Sequence, residues 1–306
     1  MARVSLRKPP SPRQRATLSL AWLKSVRLWT AAGWIGAAAL AAYGARQLEP
    51  YVHALAGAPT RIEWANLPNW LQRAPWSDVL GELEGRLEHP DVRVAEWDVY
   101  DVDVCAYTAS KIRSSPWIEE LRRVSKSFDG VIRVDADFRQ PFAIVQRGPQ
   151  AFLVSRSGVR LPPTYDARDV NRQGWLVIRG VQSDTPDPGG AWDASDLADG
   201  LKLAEFLYQA ELTGDLPDAL RGALWAIDVS NHKRRVDPWA GEMRLITTND
   251  RFSIHWGLPP GEEYDIEAPA ARKLSVLKEA FASLGDALYG QPIDVRSGET
   301  IVLERG

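Results

Sequence analysis

The sequence predicts an α+β protein with a single N-terminal transmembrane helix, a small strand-helix-helix-strand-strand domain, and a larger mixed β domain with packed helices. Three observations predict it. The first 27 residues hold seven Lys or Arg (Arg3, Arg7, Lys8, Arg13, Arg15, Lys24, Arg27) and no acid, and Leu28 to Ala45 then runs eighteen residues without a charge. Short apolar runs with strand character recur through the rest of the chain. Between them lie longer segments whose apolar residues step by three and four.

A basic flank before an apolar run keeps the amino end in the cytoplasm and sends the downstream chain across a membrane. Eighteen residues at about 1.5 Å each reach about 27 Å, against a hydrocarbon core of about 30 Å. Trp29 and Tyr43 stand near the two ends, where amphipathic rings favour the interface. The expected boundaries are a basic cytoplasmic tail over 1–27, a membrane span over 28–46 and a linker over 47–59 that holds Pro50, Gly57 and Pro59. Two other readings compete. A secretory signal peptide would be cleaved near Ala42-Tyr43-Gly44, but its apolar region is usually about 7–15 residues long. A buried soluble helix has no use for the charge bias. Gly33, Ala37, Ala41 and Ala45 form a small-residue stripe that suits close approach of another membrane helix, or simply fills the span.

The formal net charge is −3, but it is split unevenly. Without the first 27 residues, 30 basic side chains face 40 acidic ones, a balance of −10. A phosphate backbone would repel such a domain, so no nucleic-acid partner is expected. Cys105 is the only cysteine, which excludes an internal disulfide and a multi-cysteine zinc site. Thirteen Trp against two Met point to cores filled by large rigid rings.

The first folded unit is expected over 60–148. Arg61 to Trp64 alternates polar and apolar residues. Trp76 to Leu87 has helical spacing. Val102 to Val124 reads as broadly helical, interrupted at Pro116. Ser115 suits a cap, Pro116 the first helical position, and Arg122 and Arg123 the last turn. Trp117, Ile118, Leu121 and Val124 would then face the core. Val131 to Val134 and Phe142 to Gln146 read as strands, with both helices on one face of the sheet.

The second unit is expected over 149–306, ending in an edge hairpin. Strands are read at 151–154, 159–161, 175–178, 227–229, 243–247 and 252–256, with Asn249-Asp250 turning the last two. Asp193 to Leu212 is an amphipathic helix. Pro269 to Tyr289 is the best-signed helix of all, with Leu274, Leu277, Phe281, Leu284 and Leu288 in step and Gly290 as a stop. Ile293 to Val295 and Thr300 to Leu303 close the chain as a hairpin around Ser297-Gly298, the last strand lying at or near a sheet edge.

This order of elements resembles the FtsQ/DivIB family of bacterial division proteins. Ser115-Pro116-Trp117-Ile118 is similar to the family's P-W-V helix start, and Phe128 to Val134 to its P-x-T-L-x-V-x-V strand, without the usual Trp-Pro pair. Arg139-Gln140-Pro141-Phe142-Ala143 resembles its E-R-x-P-V-A junction, and Phe152 to Val159 its Y-L-V-D-x-x-G-V segment. Ile227-Asp228-Val229 and Ile293-Asp294-Val295 resemble two I-D-L or I-D-V strands. The chain departs from the pattern at an insertion-like loop from Asn231 to Gly241. The resemblance implies a POTRA-type first domain and a single-pass protein of the cell inner membrane, with its bulk in the periplasm. It also implies a role at the division site without enzymatic activity, and no cofactor. Implied partners are FtsB-like and FtsL-like small coiled-coil membrane proteins and other divisome components. They would dock on the C-terminal β edge, at positions matching Arg296, Ser297, Ile301 and Leu303.

No catalytic or metal-binding constellation stands out. His53, His89, His232 and His255 lack ligand spacing, and GxSxG, P-loop and GxGxxG motifs are absent. Glu96, Asp98, Asp101 and Asp103 lack the glycine and closing Glu of a calcium loop. Cys105 has no basic neighbour in sequence and suits a buried thiol. The cluster His232-Lys233-Arg234-Arg235 suits a solvated loop, or contact with an anionic lipid head or an acidic partner. The alternative function is an exported enzyme or binding protein acting on cell-wall glycan. The Trp-rich composition and Glu262-Glu263 near Trp256 support it, although adjacent carboxylates point apart instead of facing across a cleft. A POTRA-bearing envelope chaperone would carry tandem repeats, and one is visible.

Overall fold

The structure is a computed structural model. It describes residues 30–48, 61–73, 75–87, 103–127, 131–170, 175–248, 252–264, 267–288 and 290–302.

Helix α1 spans 30–48, and nearly all of it is exposed. The expected transmembrane helix is overturned: no helix among the described residues is long and apolar enough to cross a membrane. The reason lies in the side chains. Eight of the nineteen residues are Ala and three are Gly, and Arg46 and Gln47 occupy the last turn. Alanine and glycine carry little apolar surface, so Ile35, Leu40 and Leu48 cannot raise the mean hydropathy far enough.

The first unit is a three-stranded sheet under two helices. Strand β1 is Arg61–Trp64, α2 is Ser77–Leu87, α3 is Val104–Arg113, β2 is Ile118–Lys126 and β3 is Val131–Phe138. β3 is central, parallel to β1 and antiparallel to β2. Its alternate residues Ile132, Val134, Ala136 and Phe138 are buried with Val79 and Leu83 of α2 and with Val104 and Ile112 of α3. Cys105 is half-buried beside this core.

The segment from Ser115 to Val124 is a turn leading into β2 and not the second half of a helix. Two β-bulges explain why its pattern reads as helical. On β3 the partners Phe138, Ala136 and Val134 step by two, while on β2 their mates Ile118, Leu121 and Val124 step by three. Each bulge inserts one residue, so the strand copies helical spacing. Pro116 lies in the preceding turn, where the Ser115 hydroxyl accepts from the Trp117 N–H at 3.4 Å.

The second sheet has nine strands in the order β12-β11-β10-β9-β8-β7-β4-β5-β6. These are β4 Pro141–Arg147, β5 Gln150–Ser155, β6 Arg160–Asp166, β7 Val177–Arg179, β8 Leu224–Asp228, β9 Met243–Thr247, β10 Ser253–Gly257, β11 Pro292–Asp294 and β12 Ile301–Val302. β4, expected in the first unit, pairs with β5 and β7 instead. Helix α4 (Ser195–Thr213) joins the parallel strands β7 and β8, and α5 (Ala270–Leu284) joins the parallel strands β10 and β11. Both helices cover one face, burying Val145, Ile178, Ile227, Leu245, Ile254 and Ile293. The intervening residues Ile144, Leu153, Val177, Ala226 and Ile246 point to the other face and share one core with the first unit. That unit therefore lies on the reverse side of the sheet from α4 and α5. The expected turn at Asn249-Asp250 falls outside the described residues, although β9 and β10 pair antiparallel.

Candidate functional site

The nine-stranded sheet ends at β12, which pairs with β11 alone among the described residues. Ile301 and Val302 remain 45% and 43% exposed. A strand in this position offers a row of N–H and C=O groups to another chain.

The hairpin behind this edge is rigid. Asp294 accepts from the Arg296 backbone N–H at 3.0 Å and from its guanidinium at 2.7 to 3.1 Å, closing the turn on itself. Ala268 N–H donates to the Arg296 carbonyl at 2.8 Å. The Thr300 hydroxyl donates to the Val276 carbonyl of α5 at 3.4 Å. Gly298 has φ +80°, and a Cβ there would lie 2.9 Å from Ala268 Cβ. Glycine is required at that position by both conformation and space.

Of the predicted partner-binding residues, the structure brings Arg296, Ser297 and Ile301 to this hairpin. Arg296 is engaged by Asp294, the Ser297 hydroxyl accepts from the Glu299 N–H at 3.3 Å, and Ile301 lies on the open edge. Leu303 lies outside the described residues.

Under the hairpin is a buried ion pair that no sequence motif marks. Lys273 of α5 is fully buried and donates to Glu267 Oε2 at 2.7 Å and to the Trp256 carbonyl at 2.8 Å. Glu267 also accepts from the Leu258 N–H at 2.9 Å. Gly257 packs so tightly on this carboxylate that a Cβ would overlap it. The only signal in the sequence is a lysine on the apolar side of an amphipathic helix.

A second feature is equally invisible in the sequence. Arg179, Asp228, Arg244, His255, Asp294 and Ile301 stand in one cross-strand row on the face opposite α4 and α5. Asp228 is buried and pairs with Arg179 at 3.2 Å and Arg244 at 3.0 Å. Burial pushes the Asp228 and Asp294 carboxyls up. Hydrogen bonds from Ser230 and Arg296 respectively, with the neighbouring arginines, outweigh it and hold both below their usual value. His255 is half-buried between Arg244 and Asp294. Burial lowers its pKa, Asp294 opposes that, and Arg244 and Arg296 reinforce it. Its Nδ1 is buried without a hydrogen-bond partner.

The signs agree for all three groups. A group whose folded pKa is depressed stabilises the fold above its unfolded value, and that stability is lost as pH falls through the folded one. Stability should therefore decline first below pH 6.5, the ordinary histidine value, and again below 3.8, the ordinary aspartate value. In urea unfolding at a series of pH values, His255→Gln should remove the first decline and keep the second. An unchanged profile would exclude His255 as its source.

The other candidates disperse. Glu263 is buried and accepts from the Gly261 and Ala270 N–H groups at 2.7 and 2.8 Å, capping α5. Glu262 is exposed and bonds Lys202. The two do not face each other across a cleft. Asp103 precedes α3, while Glu96, Asp98, Asp101, His53 and His89 lie outside the described residues. No group of three or more potential metal ligands occurs among the described residues. Set against known proteins, the chain matches no family model and no curated protein.

Proposed function

We propose that the chain is a non-enzymatic scaffold of the bacterial division machinery, as its resemblance to the FtsQ/DivIB family implies. It would hold partners by adding a strand to β12. The observation that carries this reading is the open edge of β12, with Ile301 and Val302 exposed at the end of a hairpin locked by Asp294 and Arg296. An edge on a locked hairpin is preorganised, so a partner strand gains main-chain hydrogen bonds without first ordering its host. The partners in this reading are FtsB-like and FtsL-like coiled-coil membrane proteins, met on the periplasmic side of the inner membrane.

Crosslinking in native membranes tests it, with the full chain compared with one truncated after Gly298. Small coiled-coil membrane proteins should come down with the full chain and vanish from the truncation. Equal capture by both forms would remove β12 as the site. Capture of no membrane partner by the full chain would sink the scaffold reading itself.

A further inference from the structure

Beyond α1, the three most exposed large hydrophobic residues of the described chain are Trp239 at 88%, Tyr264 at 79% and Val236 at 73%. The three non-glycine residues with positive φ among the described residues are Lys233, Arg234 and Tyr264. Both sets fall in the same two loops, 229–242 after β8 and 258–264 after β10. β8 and β10 both run antiparallel to β9, so the two loops emerge from the same end of the sheet.

These loops are held firmly. Asn231 is buried and spans its loop from within. Its Nδ2 donates to the carbonyls of Asp237, Ala240 and Gly241 at 2.9 to 3.3 Å, and its Oδ1 accepts from the Val236 and Asp237 N–H groups at 2.9 and 2.8 Å. Arg235 turns inward to Asp196 at 2.8 Å and to the carbonyls of Gly180, Val229 and Ser230. His232 is buried against Asp199 at 2.9 Å. Lys202 bonds both Asp199 and Glu262, which hangs the second loop on the same turn of α4.

His232 and Arg235 are thus occupied, while the nearby acids keep their charge and bind backbone amides of the same loop. Asp237 accepts from the Trp239 N–H and Glu242 from the Lys233 N–H. The Lys233 and Arg234 side chains are exposed and take part in no ion pair among the described residues. Their consecutive left-handed φ values of 54° and 56° cost energy that the Asn231 network sustains. A rigid, strained loop thus projects two cations that stand outside any ion pair among the described residues, an indole and an isopropyl group, with a phenol on the neighbouring loop.

We propose that this tip is a lipid-contacting surface that takes the anionic headgroups of a membrane leaflet. Indole and phenol rings favour the boundary between headgroup and acyl chain, and cations beside them favour anionic lipid. The inference stands apart from the docking of a partner strand on β12.

The test uses the full chain carrying Cys105→Ser, with Trp239→Cys or Tyr264→Cys labelled by an environment-sensitive fluorophore. A dye on the loop reports this contact and is blind to binding by the basic amino terminus. Its emission should rise and move to the blue with phosphatidylcholine vesicles that contain phosphatidylglycerol. Lys233→Ala with Arg234→Ala should raise the lipid concentration for half response on the order of tenfold. A dye that stays in water while the chain sediments with the vesicles would overturn the proposal. So would an equal response to phosphatidylcholine alone, or a response given only by an acidic protein.

Discussion

Replacing Lys273 with alanine should destabilise the protein by about 3–5 kcal/mol, the range for removing one partner of a buried ion pair. Glu267 would remain buried with its Oε2 facing one backbone N–H, from Leu258. The cation also crosses the Trp256 ring at 5.5 Å and binds the Trp256 carbonyl, so the end of β10 would lose a second support. Urea unfolding would measure the loss. The double variant Lys273→Met with Glu267→Gln should recover much of it, because no uncompensated charge is then buried. A single-variant loss below about 1 kcal/mol would place the pair among the weak contacts typical of solvent-exposed ones. The change bears on the edge as well, since Ala268 beside Glu267 holds the Arg296 carbonyl of the β11–β12 hairpin.

Trp117→Ala should cost a similar amount, about 3–5 kcal/mol, because a fully buried indole leaves a cavity that its neighbours fill only in part. Trp117 is 1% exposed and meets Trp76 with ring centroids 5.7 Å apart. Trp76 in turn meets Trp175, just before β7, at 5.8 Å. The cavity would therefore open at the seam between the three-stranded and nine-stranded sheets. Near-ultraviolet circular dichroism should weaken along with the denaturant midpoint. Trp117→Phe should cost less, since it keeps most of the ring and removes an Nε1 that is buried without a partner. A Trp117→Ala variant with unchanged stability would show that the seam carries no load.

How much of this was legible in the sequence depended on whether a local pattern was faithful to the local structure. α5 and α4 lie close to where their apolar steps place them, because each buries one stripe against a sheet face. β9 and β10 likewise follow their apolar runs. The segment over Ser115 to Val124 misled because the bulges in β2 convert a period of two into a period of three. α1 departs from the expectation because a run dominated by Ala and Gly is free of charge without being apolar enough to cross a membrane.

The site divides in the same way. The hairpin at residues 293–302 and the exposed place of Ile301 follow from strand propensity and the Ser297-Gly298 turn, all within a few residues of one another. The row from Arg179 to Asp294 joins positions far apart in the chain and exists only through strand register. Asn231, unremarkable in the sequence, makes five hydrogen bonds inside its loop once the chain closes around it.

By itself the sequence determined the acidic balance of the folded part, the basic amino end, and the absence of an internal disulfide. It also determined the helices and strands whose apolar spacing is set by contacts with one face. Only the tertiary structure decided that β4 belongs to the larger sheet and that Arg296 is held by Asp294. It likewise decided that Lys273 is buried on Glu267, and that Trp239 and Tyr264 emerge at one end. Propensity and periodicity act over a single turn or strand, whereas pairing, burial of charge and shared exposure arise when distant segments compete for the same neighbours.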